Sequence, residues 1–240
     1  MQKDFVDEFI DSSITANQEI YKLLYSCEDT LKEKKSLGFG GDISIKMDLE
    51  AEKIFIKHLQ HYGEIFSEES GKSGEGDFTV VIDPIDGSDN FKANFPYFGS
   101  SVALKDENKV FAGVITNLAN GDIFIKTDKY FKKGKLFSKD FKSVTKNSFC
   151  EIGVFEKGYK SDSYAKKLRE NGVKYRVPGA FALSLAYAHD LKFVIFEGKV
   201  REFDVCAGRY MCSDLYIYES DDIFIVSQDK ATFEKLRDMI

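Results

Sequence analysis

The sequence predicts an α+β fold, with helices packed against largely antiparallel sheet. Three observations carry that expectation. Apolar residues recur at helical spacing over the first thirty positions; three β-rich runs between Ser100 and Thr127 are broken by "DENK" and "NLANGD"; and the second half mixes short helix and strand patterns without internal repeats.

In chain order, Phe5, Phe9, Ala16, Ile20, Leu23, Cys27 and Leu31 fall at spacings of three, four or seven, which predicts one long amphipathic helix. It stops before "KKSLGFGGD", a basic and glycine-rich loop. Ala51, Ile54, Phe55, His58, Leu59 and Tyr62 mark a second helix. A short strand at "EIF" and a stronger one at "FTVVID" follow. "SSVALK", "KVFAGVIT" and "DIFIKT" then read as strands of antiparallel hairpins. Beyond them come "FCEIGVF", helices near 162–170 and 179–189, the strand "KFVIFE", a helix from about Asp204, and the closing strands "LYIYE" and "DIFIVS". The polar run from Lys126 to Asn147 is the best candidate boundary between a subregion of about 1–140 and one of about 141–240.

Composition narrows the function. With 240 residues, 43% hydrophobic and 14% aromatic, the chain can bury a sizeable core. A net charge of -6 argues against a nucleic-acid backbone as partner, because such binders carry a basic patch. No apolar run reaches bilayer length, and "MQKDFVDEFI" has acids where an export signal has basic residues; a cytoplasmic protein without membrane attachment is the expectation. Cys27, Cys150, Cys206 and Cys212 have no CxxC spacing and read as reduced thiols. His58 and His61 lack a third metal partner nearby in sequence, and His189 reads as a helix-end residue.

The stretch "VVIDPIDGSDNF" holds the chemistry. Asp83 ends an apolar strand, Pro84 stiffens the exit, and Gly87 permits a tight turn ahead of Ser88. Asp83 and Asp86 stand among flanks too apolar for two unpaired charges, so they call for a cation. Hard oxygen ligands suit Mg²⁺, which completes its shell with water and phosphate oxygens. If Gly87 and Ser88 open a helix, their backbone N–H groups face that phosphate. Glu68 and Glu69 of "FSEES" and Asp204 of "FDVCAG" are further acids at element ends. Taken singly they are solvated loop charges and a helix cap; together they supply the donors of a two-metal phosphoryl site.

"DPIDGSDNF", preceded by "SEES" and followed by "FDVCAG", resembles the inositol monophosphatase family of the lithium-sensitive, magnesium-dependent phosphatase superfamily, which is related to fructose-1,6-bisphosphatase. The likeness runs from "GDISIKMDLEAEKIF" through "FDVCAGRYM". It implies one unit over residues 1–240 with a layered α-β-α-β-α sandwich, two or three Mg²⁺ ions, lithium sensitivity, and a homodimer. It also implies roles: Glu69, Asp83, the Ile85 carbonyl, Asp86 and Asp204 as metal ligands; Ser88 and Asp48, with Glu69, as the groups that activate water; and the Gly87 and Ser88 amides as the phosphate cradle. Substrate contacts are expected from Asp86, Glu197, Gly179, Ala180 and Arg176. Phe203 replaces a tryptophan and Ser88 a threonine of the family pattern, and the C-terminal tail is compressed. The implied reaction is in-line hydrolysis of a small phosphate ester, inositol 1-phosphate first, with fructose 1,6-bisphosphate, histidinol phosphate and NADP as competitors. A catalytically silent sensor of a phosphorylated ligand is the reading from another class; it predicts loss of a metal acid, and none is lost.

Overall fold

A computed structural model describes residues 3–26 and 29–240. Helix α1 (Lys3–Leu24) is followed by the hairpin β1 (Lys34–Leu37) and β2 (Ile43–Ile45), then by α2 (Lys46–Leu59). Strands β3 (Glu64–Ser67), β4 (Gly71–Ser73) and β5 (Thr79–Asp86) lead into the short helix α3 (Ser88–Lys92). The meander β6 (Gly99–Lys105), β7 (Val110–Asn117), β8 (Asp122–Thr127), β9 (Phe131–Lys135) and β10 (Lys142–Ser143) comes next. The remainder is β11 (Gly153–Glu156), α4 (Tyr164–Glu170), β12 (Tyr175–Arg176), α5 (Phe181–Ala186), β13 (Phe193–Glu197), α6 (Glu202–Met211), β14 (Tyr216–Glu219), β15 (Ile223–Ser227) and α7 (Lys230–Arg237).

Two sheets organise these elements. The larger runs β10-β9-β8-β7-β6-β5-β3-β4 and the smaller β12-β11-β13-β15-β14. All pairs are antiparallel except β3 with β5 and β11 with β12 and β13. Alternation along the strands decides what covers each face. Val80 and Ile82 pack with Phe9, Ile20, Phe55 and Leu59 of α1 and α2, whereas Val81, Ala103, Ile115 and Phe124 pack with Leu183, Phe203, Cys206 and Met211 of α5 and α6. The far side of α5 and α6 meets Val194, Phe196 and Phe224 of the smaller sheet. That sheet's outer face, Phe155, Phe193 and Ile225, is covered by Leu168 of α4 and Leu236 of α7. The order is therefore helix pair, sheet, helix pair, sheet, helix pair, the layered sandwich expected.

Several boundaries differ from expectation. The N-terminal helix ends at Leu24 instead of continuing to Leu31, which is buried in a separate 3₁₀ turn, Asp29–Lys32; Cys27 lies outside the described residues. Tyr62 belongs to a 3₁₀ turn after α2, where its ring packs edge-on against Phe9. The polar run from Lys126 to Asn147 contains β9 and β10, which extend the larger sheet before the chain crosses to the smaller one. The expected helix at 179–189 closes at Ala186, and His189 is buried in the next 3₁₀ turn with Nε2 bonded to Asp214. His58 pairs with Glu19. Cys150, Cys206 and Cys212 are free thiols. Among the described residues no helix is long and apolar enough to cross a membrane.

Candidate active site

The site begins where β5 stops being a regular strand. Pro84 has no N–H to give the ladder, and the pairing with β6 slips between Asp83, opposite Ser101, and Asp86, opposite Gly99. By alternation Asp83 shares the face of Val81, toward α5 and α6, and past the slip Asp86 reaches the Leu183 N–H of the same helix layer. Gly87 then takes φ of 89°, a left-handed conformation that an L side chain resists, and the chain enters α3.

Glu68 follows the parallel neighbour β3, and its backbone N–H bonds Ile82 O at 3.1 Å, so it lies beside the end of β5. Asp204 sits in the first turn of α6, where a carboxylate suits the helix dipole. Carboxylate oxygens of Glu68, Asp83 and Asp204 all lie within 4.8 Å of one another. Asp83 is 2% exposed and its Oδ1 accepts no hydrogen bond. An orphaned buried carboxylate oxygen facing two further acids is the donor set a divalent cation requires. Burial, then the charges of Glu68 and Asp86, holds the Asp83 carboxyl well above the usual carboxylate range. Burial pushes Glu68 up to about 8 against the opposing pull of Arg201.

Asp86 stands beside this group. Its Oδ2 accepts the Leu183 N–H of α5 at 2.7 Å, and burial raises its carboxyl well above normal. The Ile85 carbonyl accepts the Ser88 hydroxyl at 3.0 Å, and the same hydroxyl lies 3.0 Å from Asp48 Oδ1. Asp48, in the first turn of α2, reaches back with Oδ2 to the Ile45 N–H at 2.8 Å. Burial lifts its carboxyl to about 7.

Glu69 was the expected ligand of the "EES" pair, but the structure gathers Glu68. Glu69 turns the other way, and its Oε2 accepts the Ser44 hydroxyl. Both residues lie in the turn after β3, and it is the Glu68 carboxylate that comes within 4.8 Å of those of Asp83 and Asp204. Glu52, further along α2, accepts both the N–H and the hydroxyl of Ser70 and so pins the loop.

The substrate-side residues divide. Gly179 and Ala180 lie against the Gly87 turn: a Cβ built on Gly87 would stand 3.1 Å from Ala180 Cβ and 3.2 Å from Gly179 O. Arg176 is not brought to the acids; it is exposed on the edge strand β12 and donates to the neighbouring Tyr175 carbonyl. Glu197 ends β13 on the strand face of Phe193 and Ile195, toward α4, where its charge bears on the Tyr164 phenol.

Two contributors were missed in the sequence. Glu156 is buried at the end of β11 and accepts the Gly179 N–H at 2.9 Å and the Ser184 hydroxyl at 2.6 Å, fixing the loop that faces Gly87. Arg201, just before α6, bonds Asp204 through Nε at 2.7 Å and Nη2 at 3.0 Å, and Glu68 through Nη2 at 2.9 Å. Its spacing three residues ahead of Asp204 was the available signal.

The profile described as inositol monophosphatase family matches residues 5–214. A fructose-1,6-bisphosphatase/inositol-1-monophosphatase of Thermococcus kodakarensis is 31% identical over 216 residues, covering 84% of this chain and 80% of that protein. The Nus factor SuhB of Xylella fastidiosa is 24% identical, covering 92% and 83%. The crystal structure of the extragenic suppressor protein SuhB from Bartonella henselae superposes with a TM-score of 0.79 at 19% identity, covering 98% of this chain and 97% of that one. The chain belongs to the inositol monophosphatase family.

Proposed function

We propose that the chain is a Mg²⁺-dependent phosphomonoesterase acting on a small polyol or sugar phosphate, inositol 1-phosphate first. One observation carries this reading: three carboxylates converge within 4.8 Å around an orphaned oxygen of Asp83, beside a glycine turn suited to phosphate. Glu68, Asp83 and Asp204, with Asp86 and the Ile85 carbonyl alongside, are the residues that would hold the cation. When bound, it supplies Lewis acidity that makes water a nucleophile near neutral pH and offsets phosphate charge.

The protein's own groups do the rest. Ser88 Oγ presents a lone pair to the attacking water and takes its proton, while its own proton passes to Asp48 Oδ1, 3.0 Å away. A carboxyl raised to about 7 is matched to that task at neutral pH. The Gly87 and Ser88 amides cradle the phosphate, and Gly179 and Ala180 wall the side where the alcohol leaves. Ser88 has no adjacent histidine base, so direct attack by water is favoured over a phosphoserine intermediate. Two or three Mg²⁺ ions, lithium inhibition, a homodimer and a cytoplasmic setting complete the reading.

The test is phosphate release from inositol 1-phosphate, fructose 1,6-bisphosphate, histidinol phosphate and NADP, with and without Mg²⁺. Release should require Mg²⁺ and fall at least about a hundredfold in Asp83→Asn, the scale set by loss of metal-site groups. A folded Asp83→Asn protein as fast as the parent overturns the metal assignment. A binder that hydrolyses none of the four would return the sensor reading.

A further inference from the structure

A cavity of about 280 Å³ opens on the outer side of the smaller sheet, at the end of β11 opposite Glu156. Its floor is apolar, with the buried side chains of Phe193 and Leu236. Three elements raise its walls: the turn after α4 with Lys174, the start of β13 with Lys192, and α7 with Thr232 and Lys235. Backbone pairing fixes the first two lysines. Gly153 N–H donates to Lys174 O at 3.0 Å and Lys192 N–H to Ile152 O at 2.9 Å, so they flank the first residues of β11 from either side. Strands on either side of a third lie about 10 Å apart, a span that two lysine side chains close around one oxyanion. The third lysine comes over from α7, where Lys235 Nζ reaches the Asn171 carbonyl at 3.4 Å. These charges are only partly offset. Among the described residues lining the cavity Glu151 is the one carboxylate; it stands 4.0 Å from Lys174 Nζ, and both side chains are mostly exposed. Asp229, which accepts the Thr232 N–H at 2.8 Å to cap α7, also feels the Lys192 charge. The excess extends outward: residues 157–176 carry seven basic side chains and two acidic ones, in a chain of net charge -6. A basic hollow on an apolar floor concentrates that field.

We propose that this cavity binds a small phosphate-bearing anion, inorganic phosphate or a phosphomonoester, between Lys174, Lys192 and Lys235. The site stands apart from the acid group and would remain if the phosphatase reading failed. Each ammonium gives the anion a charge-assisted hydrogen bond, and the Thr232 hydroxyl adds a neutral one. The volume, at the lower end of ligand pockets, takes a phosphate with room for a short carbon skeleton against Phe193 and Leu236. Because the three lysines come from different elements, the bound anion ties α7 to the sheet and to the turn after α4. Occupancy therefore stabilises the folded chain.

The experiment uses the full-length protein in chelator, where the acid group holds no cation and repels anions. Inorganic phosphate and inositol 1-phosphate are titrated in separate arms, followed by backbone amide NMR shifts and by thermal melts. The shifts should saturate and centre on residues 171–174, 192–193 and 232–236, and the melting temperature should rise with ligand. Phosphate binding as tightly as the ester supports a site for the free anion; tighter binding of the ester supports one for a phosphomonoester. Lys192→Gln should weaken the better ligand at least about tenfold, the scale of one hydrogen bond to a charged group. Changing Lys174 and Lys235 together to glutamine should abolish the rise in melting temperature. Should Lys192→Gln prove unstable, Lys235→Gln, on the exposed side of α7, carries the same test. Equal affinity in parent and variant overturns the site. So do shifts that never saturate, shifts confined to Gly87 and Ser88, or shifts that chloride at matched ionic strength reproduces.

Discussion

Ser88 and Asp48 form the site's most direct link from one side chain to one rate. Removing the hydroxyl in Ser88→Ala should slow phosphate release by about a hundredfold or more, the usual scale of a lost proton relay, and leave Mn²⁺ affinity within about twofold. Ser88→Thr keeps the hydroxyl and should retain the rate; single-turnover kinetics and calorimetry check both. Equal rates for alanine and serine would remove Ser88 from the proton path. At this scale the sequence was legible wherever an acid sat inside a rigid motif: Asp83 stands at the slip in β5, Asp86 precedes the Gly87 turn, and Asp48 lies 3.0 Å from the Ser88 hydroxyl. It failed on the Glu68 and Glu69 pair, because two adjacent carboxylates are chemically alike and only the path of the turn after β3 separates them. Arg201 was missed for another reason: its spacing to Asp204 was readable, but its loop partners are about 160 residues away in the chain.

The decisive element is the β5-to-α3 turn, where proline ends the ladder and Gly87 reverses the chain. Gly87→Ala puts a Cβ onto a backbone with φ of 89° and presses it within about 3 Å of Ala180 and two carbonyls. The strain should cost about 1–3 kcal/mol. At roughly 2–4 °C per kcal/mol for a chain of this size, a thermal melt will show it. Phosphate release should fall with it, since the turn's amides are the proposed phosphate cradle. An unchanged melting temperature would mean the turn relaxes freely. Elements stabilised by neighbours in sequence were legible, as with β6, β7 and β8, whose alternation and polar turns define hairpins locally. β9 was not: "FKKGK" pairs with β8 and β10 through backbone bonds while its side chains read as loop. α7 escaped for a similar reason, since Leu236 is its one buried residue and gives no periodic signal.

The whole molecule is a stack in which α5 and α6 serve both sheets, and the acid group draws Glu68 and Asp83 from the first subregion and Asp204 from the second. We read residues 1–240 as one unit on that account. The concentration of raised carboxyls carries a pH prediction. Asp48, held at about 7, and Glu68, at about 8, both stand above their ordinary values, so the folded state favours their protons. Their stabilising contribution is complete below the unfolded values near 4 and is lost as pH rises through the folded ones. In chelator, the melting temperature should therefore fall between about pH 5 and pH 8 in a single transition. Mg²⁺ should flatten the slope by stabilising the ionised acids. A melting temperature that rises over that window without metal would contradict the acid cluster. The layering was foreseeable from alternating apolar faces together with family resemblance, but the sharing of one helix layer was not, because it depends on contacts between distant segments. That shared layer has a consequence during translation. The first sheet is complete by Ser143, yet Val81, Ala103, Ile115 and Phe124 stay bare until the stretch ending at Met211 clears the ribosome, an interval in which the nascent chain is a substrate for holding chaperones.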